Sequence, residues 1–125
     1  MLAQCDLMGF VPITNSDRAR AFYVDKLKLQ FVSDDPFALV VRANGNDIRL
    51  THMEAVTPVP YTICGWKVAD IETTANELIA AGVSFEKYPF VKDPSGIWNA
   101  PGGARIAWFK DPDGNILSIS QHPEQ

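Results

Sequence analysis

The sequence predicts an α+β fold built from two βαβββ modules in one domain spanning residues 1–125. Three observations carry that expectation. Apolar residues alternate with period two in short runs and recur at helical spacing in two longer ones. The order strand, helix, strands occurs twice, with little residue identity between the halves. The stretch Asp111-Pro112-Asp113-Gly114 lies between two apolar runs, and these residue types favour a tight turn joining two strands.

Module one covers about residues 6–56 and module two about residues 60–121. The first strand is expected over Met8 to Thr14. Thr14-Asn15-Ser16-Asp17 has capping-box spacing, with Thr14 as the cap and Asp17 answering it. A helix should follow to about Lys28, burying Ala19, Phe22, Tyr23 and Leu27. Strands are expected near Gln30 to Ser33, Phe37 to Ala43 and Asp47 to Met53. After the joint Thr57-Pro58-Val59-Pro60, a strand runs from Thr62 to Val68. Asp70 caps a second helix carrying Ile71, Ala75, Leu78 and Ile79, which ends at Gly82. A strand near Val83 to Lys87 and a loop from Tyr88 to Gly103 lead to the closing hairpin. Neither module can bury its sheet alone.

Composition narrows the function classes. The chain has 11 basic and 15 acidic side chains and a net charge of −4. That balance argues against nucleic acid and anionic membranes as partners, both of which reward clustered Lys and Arg. No apolar run approaches the roughly 20 residues of a membrane span. The N-terminus is too short and polar for a signal peptide, so a cytoplasmic location is expected. Cys5 and Cys64 fit no metal-ligand spacing and read as two reduced thiols.

Turn chemistry sorts the strand residues by face. Asn44-Gly45 favours a two-residue type I′ turn, which sets Arg42 opposite Asp47 and puts Val40 and Arg49 on one face. A four-residue turn at Asp111–Gly114 would pair Phe109 with Ile116 and Ala107 with Ser118. Trp108 would then share an all-apolar, helix-packed face with Leu117 and Ile119. Phe109, Ser118 and Ser120 would stand on the other.

Several pieces carry a resemblance: Val11-Pro12-Ile13 with Arg18, Ala21-Phe22-Tyr23 and Leu27; Val68-Ala69-Asp70-Ile71; Leu78 to Val83; and Phe109 to Asn115. Taken in order, the chain resembles the vicinal oxygen chelate family, the glyoxalase, bleomycin-resistance and extradiol-dioxygenase proteins. The resemblance implies a curved mixed sheet around a cleft, with helices on the outer face. It also implies metal positions at four cleft-facing strand sites, which fall near Met8, Arg49, Ile63 and Ser118. Those residues are poor ligands for a hard cation, and Arg49 would repel one. His52 and Glu54 lie two apart on a strand end, but that register turns His52 away from Arg49. His122 falls in the tail. No catalytic set can be assembled from two histidines, and neither a metal nor another cofactor is expected.

What remains is a cleft lined by Phe10, Val40, Arg49, Thr51, Ile63, Phe109, Ser118 and Ser120, with Trp98 in the long loop. Trp98 is either a lid over the mouth or a ring folded onto the surface. Arg49 either attracts an anionic or carbonyl-bearing ligand or closes an internal salt bridge, and Phe10 is either wall or core. Asn46-Asp47-Ile48-Arg49-Leu50 looks like the corresponding strand of the metal-free bleomycin-resistance members. The expectation is therefore a homodimer that binds a small organic molecule without a metal. The alternative is a lyase, isomerase or dioxygenase of the same superfamily. A third reading is an accessory domain for a partner protein.

Overall fold

The computed structural model describes residues 1–123. Two compact units meet in sequence between Thr57 and Pro58. A short 3₁₀ turn, Leu2–Gln4, opens the first unit. Its sheet contains β1 (Met8–Ile13), β2 (Gln30–Asp34), β3 (Ala38–Ala43) and β4 (Asn46–His52), in spatial order β1-β4-β3-β2. The second unit has β5 (Thr62–Lys67), β6 (Trp98–Asn99), β7 (Arg105–Lys110) and β8 (Ile116–Gln121), in order β5-β8-β7-β6. In each unit the first strand runs parallel to the last and the other neighbours are antiparallel. The repeated strand–helix–strands order is thus present, with one β6 strand of only two residues.

In the first unit α1 (Ser16–Arg20) runs directly into a π-helical segment, Ala21–Lys26. The cap is Asn15, not Thr14: its Oδ1 accepts the Arg18 N–H at 2.9 Å. Thr14 Oγ1 instead receives the Arg18 guanidinium at 3.2 Å. The helix starts one residue later than the capping-box spacing suggests, because β1 keeps its extended pairing to His52 through Ile13. The Leu27 N–H reaches back five residues to the Phe22 carbonyl at 2.9 Å, which widens this turn. Phe22 and Tyr23, adjacent in sequence, are both buried in it and meet edge to face.

The Asn44-Gly45 turn forms as its residues demand, with φ of 49° and 80°. Arg42 pairs with Asp47, and Val40 with Arg49. The Arg42 guanidinium grips the Asp47 carboxylate through two bonds, of 2.6 and 3.1 Å. Val11, Ile13, Leu39, Val41, Ile48 and Leu50 fill the face that is buried.

In the second unit α2 (Ile71–Ala80) is capped by Asp70, whose Oδ1 accepts the Thr73 N–H at 3.2 Å. Ile71, Ala75 and Leu78 are buried, while Ile79 is half exposed and lies outside the packed stripe. Val83 to Lys87 does not form a strand. It makes an isolated bridge, Phe85 to Phe109, through the bond from Glu86 N–H to the Trp108 carbonyl at 2.8 Å.

The closing hairpin departs from the four-residue expectation. Lys110 pairs with Ile116, Phe109 with Leu117, Trp108 with Ser118 and Ala107 with Ile119. The loop therefore holds five residues, Asp111 to Asn115. The Asp111 carboxylate sets its length by accepting the N–H groups of Asp113 and Asn115, both at 2.9 Å, and the Asn115 side-chain amide at 2.8 Å. A one-residue change of register exchanges the two faces. Ala107, Phe109, Leu117 and Ile119 accordingly make the buried face against α2, and Trp108, Ser118 and Ser120 make the other.

The exposed carboxylates that cap turns and helices set the acid limb of stability. Backbone N–H donors, Thr73 foremost, hold Asp70 below its ordinary value. Phe37 and Ala38 N–H groups do the same for Asp35, and Ser95 N–H for Asp93. A depressed folded value stabilises the fold above the unfolded carboxylate value, near 3.9. That stabilisation is lost as the pH falls through the folded value. The urea midpoint should therefore drop as the pH falls below about 4. Asp70→Asn, which still accepts a bond but does not titrate, should make that drop shallower; an unchanged slope would remove Asp70 from the account.

Candidate functional site

Each sheet packs one face fully and leaves the other partly exposed, and on this second, open face Ala38, Val40, Ile116 and Ser118 are themselves buried. On the first unit's open face Met8 and Phe10 of β1 stand beside Asp47, Arg49 and Thr51 of β4 and Ala38, Val40 and Arg42 of β3. Phe10, Val40, Arg49 and Thr51 thus share one face. Phe10 is 63% exposed, so it is no part of the core. Among the described residues Arg49 makes no ion pair. Its charge is felt weakly at Asp35, whose carboxylate is held down mainly by the Phe37 and Ala38 N–H groups. The guanidinium is consequently available to an outside group.

The second unit's open face is aromatic. Trp98 pairs with Ile106 at the sheet edge, and Trp108 pairs with Ser118 beside it. Trp98 belongs to a strand and is neither a lid nor a loop ring: its centroid is 5.9 Å from that of Trp108. Phe90 contacts both indoles edge to face, at 5.2 and 5.6 Å. Tyr88 completes the group, 5.8 Å from Phe90 and 5.7 Å from Trp108. The loop carrying Tyr88 and Phe90 is pinned beyond them: Val91 and Ile97 are buried, Asp93 accepts the Ser95 N–H at 2.8 Å, and Lys87 Nζ donates to the Pro94 carbonyl. Gly96 allows that path, with φ of 85° and the Phe85 Cβ 2.9 Å from where a side chain would begin.

A pocket of about 330 Å³ opens beside these rings, lined by Tyr61, Thr62, Tyr88, Phe90, Trp108 and Ile116. Thr62 Oγ1 accepts the Trp108 indole N–H at 3.0 Å, which fixes that ring's orientation. Further along the sheet Gly65 pairs with Ser118. A Cβ on Gly65 would sit 2.5 Å from the Ser118 hydroxyl, so glycine keeps the floor of this face flat.

The expected site residues divide accordingly. Trp98, Ser118 and Ser120 stand on the second unit's open face. Ile63 falls in the bulge where β5 and β8 change register. Phe109 does not line that face. It is 1% exposed, stacked on Trp66 at 6.4 Å and edge-on to Phe85 at 5.8 Å. The five-residue loop moved it inward and moved Trp108 outward. Sequence reasoning missed Trp108, Tyr88 and Phe90. The spacing Tyr88, Phe90 and the abundance of aromatics near the hairpin were the only signals, and both depended on register.

Chemical groups are sparse. Cys64 shares the buried face with Leu117, and burial pushes its thiol up, away from thiolate chemistry. Both cysteines are free. His52 lies in register with Ile13 on the buried side, its Nε2 3.8 Å from Asp34. His122 is not simply solvated: its Nε2 lies 2.9 Å from the Ser120 hydroxyl. No carboxylate among the described residues orients that imidazole, so the pair lacks the third member a nucleophilic triad needs.

A metal does not fit the positions the family resemblance assigns. Met8 and Ser118 occupy open faces, Arg49 projects a cation and Ile63 has no donor. Thioether, guanidinium, alkyl and hydroxyl groups do not make a site for a hard divalent ion. Among the described residues no three His, Cys, Asp or Glu side chains gather to hold one elsewhere. Likewise no helix among them is long and apolar enough to cross a membrane.

The chain belongs to the Glyoxalase/Bleomycin resistance protein/Dioxygenase superfamily, whose pattern it matches over residues 7–119. No curated protein matches it. Among solved structures it is similar to a putative glyoxalase family protein from Bacillus anthracis, at 16% identity and a TM-score of 0.77, over 96% of each chain. It is similar to TnmS3, an antibiotic binding protein from Streptomyces sp. CB03234, at 20% identity and a TM-score of 0.72, over 98% of this chain and 99% of that one. A lactoylglutathione lyase from Agrobacterium tumefaciens gives 16% identity and a TM-score of 0.72, over 94% and 93% of the two chains. At these identities the likeness establishes the fold.

Two adjacent residues should separate structure from site. Phe109→Ala should cost about 3–5 kcal/mol of unfolding free energy, the range for a buried aromatic. Trp108→Phe, on the open face, keeps an aromatic ring and loses mainly the indole N–H bond to Thr62, so it should cost only about 1 kcal/mol. Urea unfolding of both variants checks this, and equal losses would contradict the assigned register.

Proposed function

We propose that the chain binds and sequesters a small organic molecule with a flat, apolar surface, and does so without a metal. The observation that carries this reading is the four-ring cluster of Tyr88, Phe90, Trp98 and Trp108 beside a pocket of about 330 Å³. Aromatic side chains give a flat ligand a large contact area at low entropy cost. Arg49 on the first unit's open face adds a guanidinium suited to an anionic or carbonyl oxygen. The antibiotic binding protein TnmS3 among the similar structures supports the ligand class. A homodimer and a cytoplasmic location belong to the same reading.

Isothermal titration against a panel of flat polycyclic and glycopeptide ligands tests it. At least one flat ligand should bind with a Kd near the micromolar range, about −8 kcal/mol. Trp108→Ala should weaken that ligand about tenfold, the order of one lost aromatic contact. Treatment with a chelator should leave the affinity unchanged. Stoichiometric zinc, nickel, manganese or iron in the purified protein, or no binding across the panel, would overturn the reading. The first outcome would favour the second reading, a superfamily lyase, isomerase or dioxygenase, which the likeness to the lactoylglutathione lyase supports.

A further inference from the structure

We infer that the second unit's pocket selects flat aromatic molecules carrying a hydrogen-bond-accepting oxygen, and that the Tyr88 hydroxyl is the donor that reads that oxygen. The inference rests on the binding reading above and names the ligand chemistry.

The Tyr88 hydroxyl is closed off from solvent and has no hydrogen-bond partner among the described residues. Buried phenols are ordinarily paired, so an orphaned one beside a pocket marks a position that a bound group can satisfy. The phenol stays protonated and therefore stays a donor at neutral pH. Burial raises its pKa first, the Glu86 carboxylate raises it further, and Lys110 opposes them. Glu86 and Lys110 are held to each other at 3.4 Å.

What covers the phenol ring is Phe90. Its ring stacks on Tyr88 with 19° between the planes, and Trp98 and Trp108 meet it edge to face. Yet Phe90 is 49% exposed and lies outside any helix or strand. A ligand ring that takes the Phe90 seat meets the same three neighbours and lies against the Tyr88 ring that carries the hydroxyl. Two further hydroxyl-bearing residues line the pocket, Tyr61 and Thr62, and Thr62 Oγ1 already accepts the Trp108 N–H at 3.0 Å. Its own O–H is still free to donate. Each of these hydroxyls has a proton to donate, and only that of Tyr88 is both closed off from solvent and without a partner among the described residues, which suits a ketone or similar oxygen on a ring system.

Equilibrium dialysis of the full chain with 9-fluorenone and fluorene tests this, since the two share a tricyclic skeleton and differ by the ketone. The intact chain should bind fluorenone about tenfold or more tightly than fluorene, because a site built to bond an oxygen disfavours an analogue without it. Tyr88→Phe keeps the ring and should abolish the preference by weakening fluorenone alone. Equal binding of both probes by the intact chain would overturn the inference and leave the binding reading standing. A preference that survives Tyr88→Phe, or that disappears only in Thr62→Val, would overturn the role of Tyr88. Failure of both probes to bind would count against the binding reading as well.

Discussion

The second unit depends on one buried carboxylate. Asp111 is 5% exposed and takes three hydrogen bonds from within its own loop. Asn115, 3% exposed, returns its carbonyl to the Asp111 N–H at 3.0 Å. A buried carboxylate must be satisfied, and this one can be satisfied only if the loop closes over five residues. Loop length then sets strand register, and register decides every residue's side. Phe109, Leu117 and Ile119 go to the core. Trp108, Ser118 and Ser120 go to the open face, where Tyr88 and Phe90 can reach the indole. Gly114, at φ of 86°, also packs against Pro58, so the same turn receives the chain where the unit begins.

The two open faces that result are chemically unlike. The first combines Phe10, Val40 and Thr51 with a guanidinium that no described carboxylate neutralises. The second is a bank of aromatic rings with hydroxyls at its border. Among the described residues neither gathers the His, Cys, Asp or Glu donors that a divalent ion requires. A superfamily fold known from both a lyase and an antibiotic binding protein here carries residues suited to contact, orientation and solvent exclusion.

The hairpins show how much of the site was legible beforehand. At Asn44-Gly45 both turn residues must take positive φ, which restricts the turn to one length. The Arg42–Asp47 pairing follows, and with it the shared face of Val40 and Arg49. At Asp111-Pro112-Asp113-Gly114 the residue types say turn without saying how long. The deciding contact, Asn115 to Asp111, lies one residue beyond the motif. The capping of the first helix failed for a related reason. Thr14, Asn15 and Ser16 are all acceptable caps, and the strand pairing of Ile13 with His52 chose among them.

Periodicity and turn chemistry alone determined the two-module α+β plan, the apolar stripe of the first sheet, the Asp70 cap and the first unit's open face. Each of those depends on neighbours within a few residues along the chain. Tertiary structure alone decided the aromatic face. Tyr88 and Phe90 reach Trp98 and Trp108 only after Val91 and Ile97 bury the middle of their loop and Gly96 takes a left-handed turn against Phe85. Their positions are the sum of contacts far apart in sequence. No local pattern encodes such a sum, because the free energy that selects it is gained only when the sheet beneath is already formed.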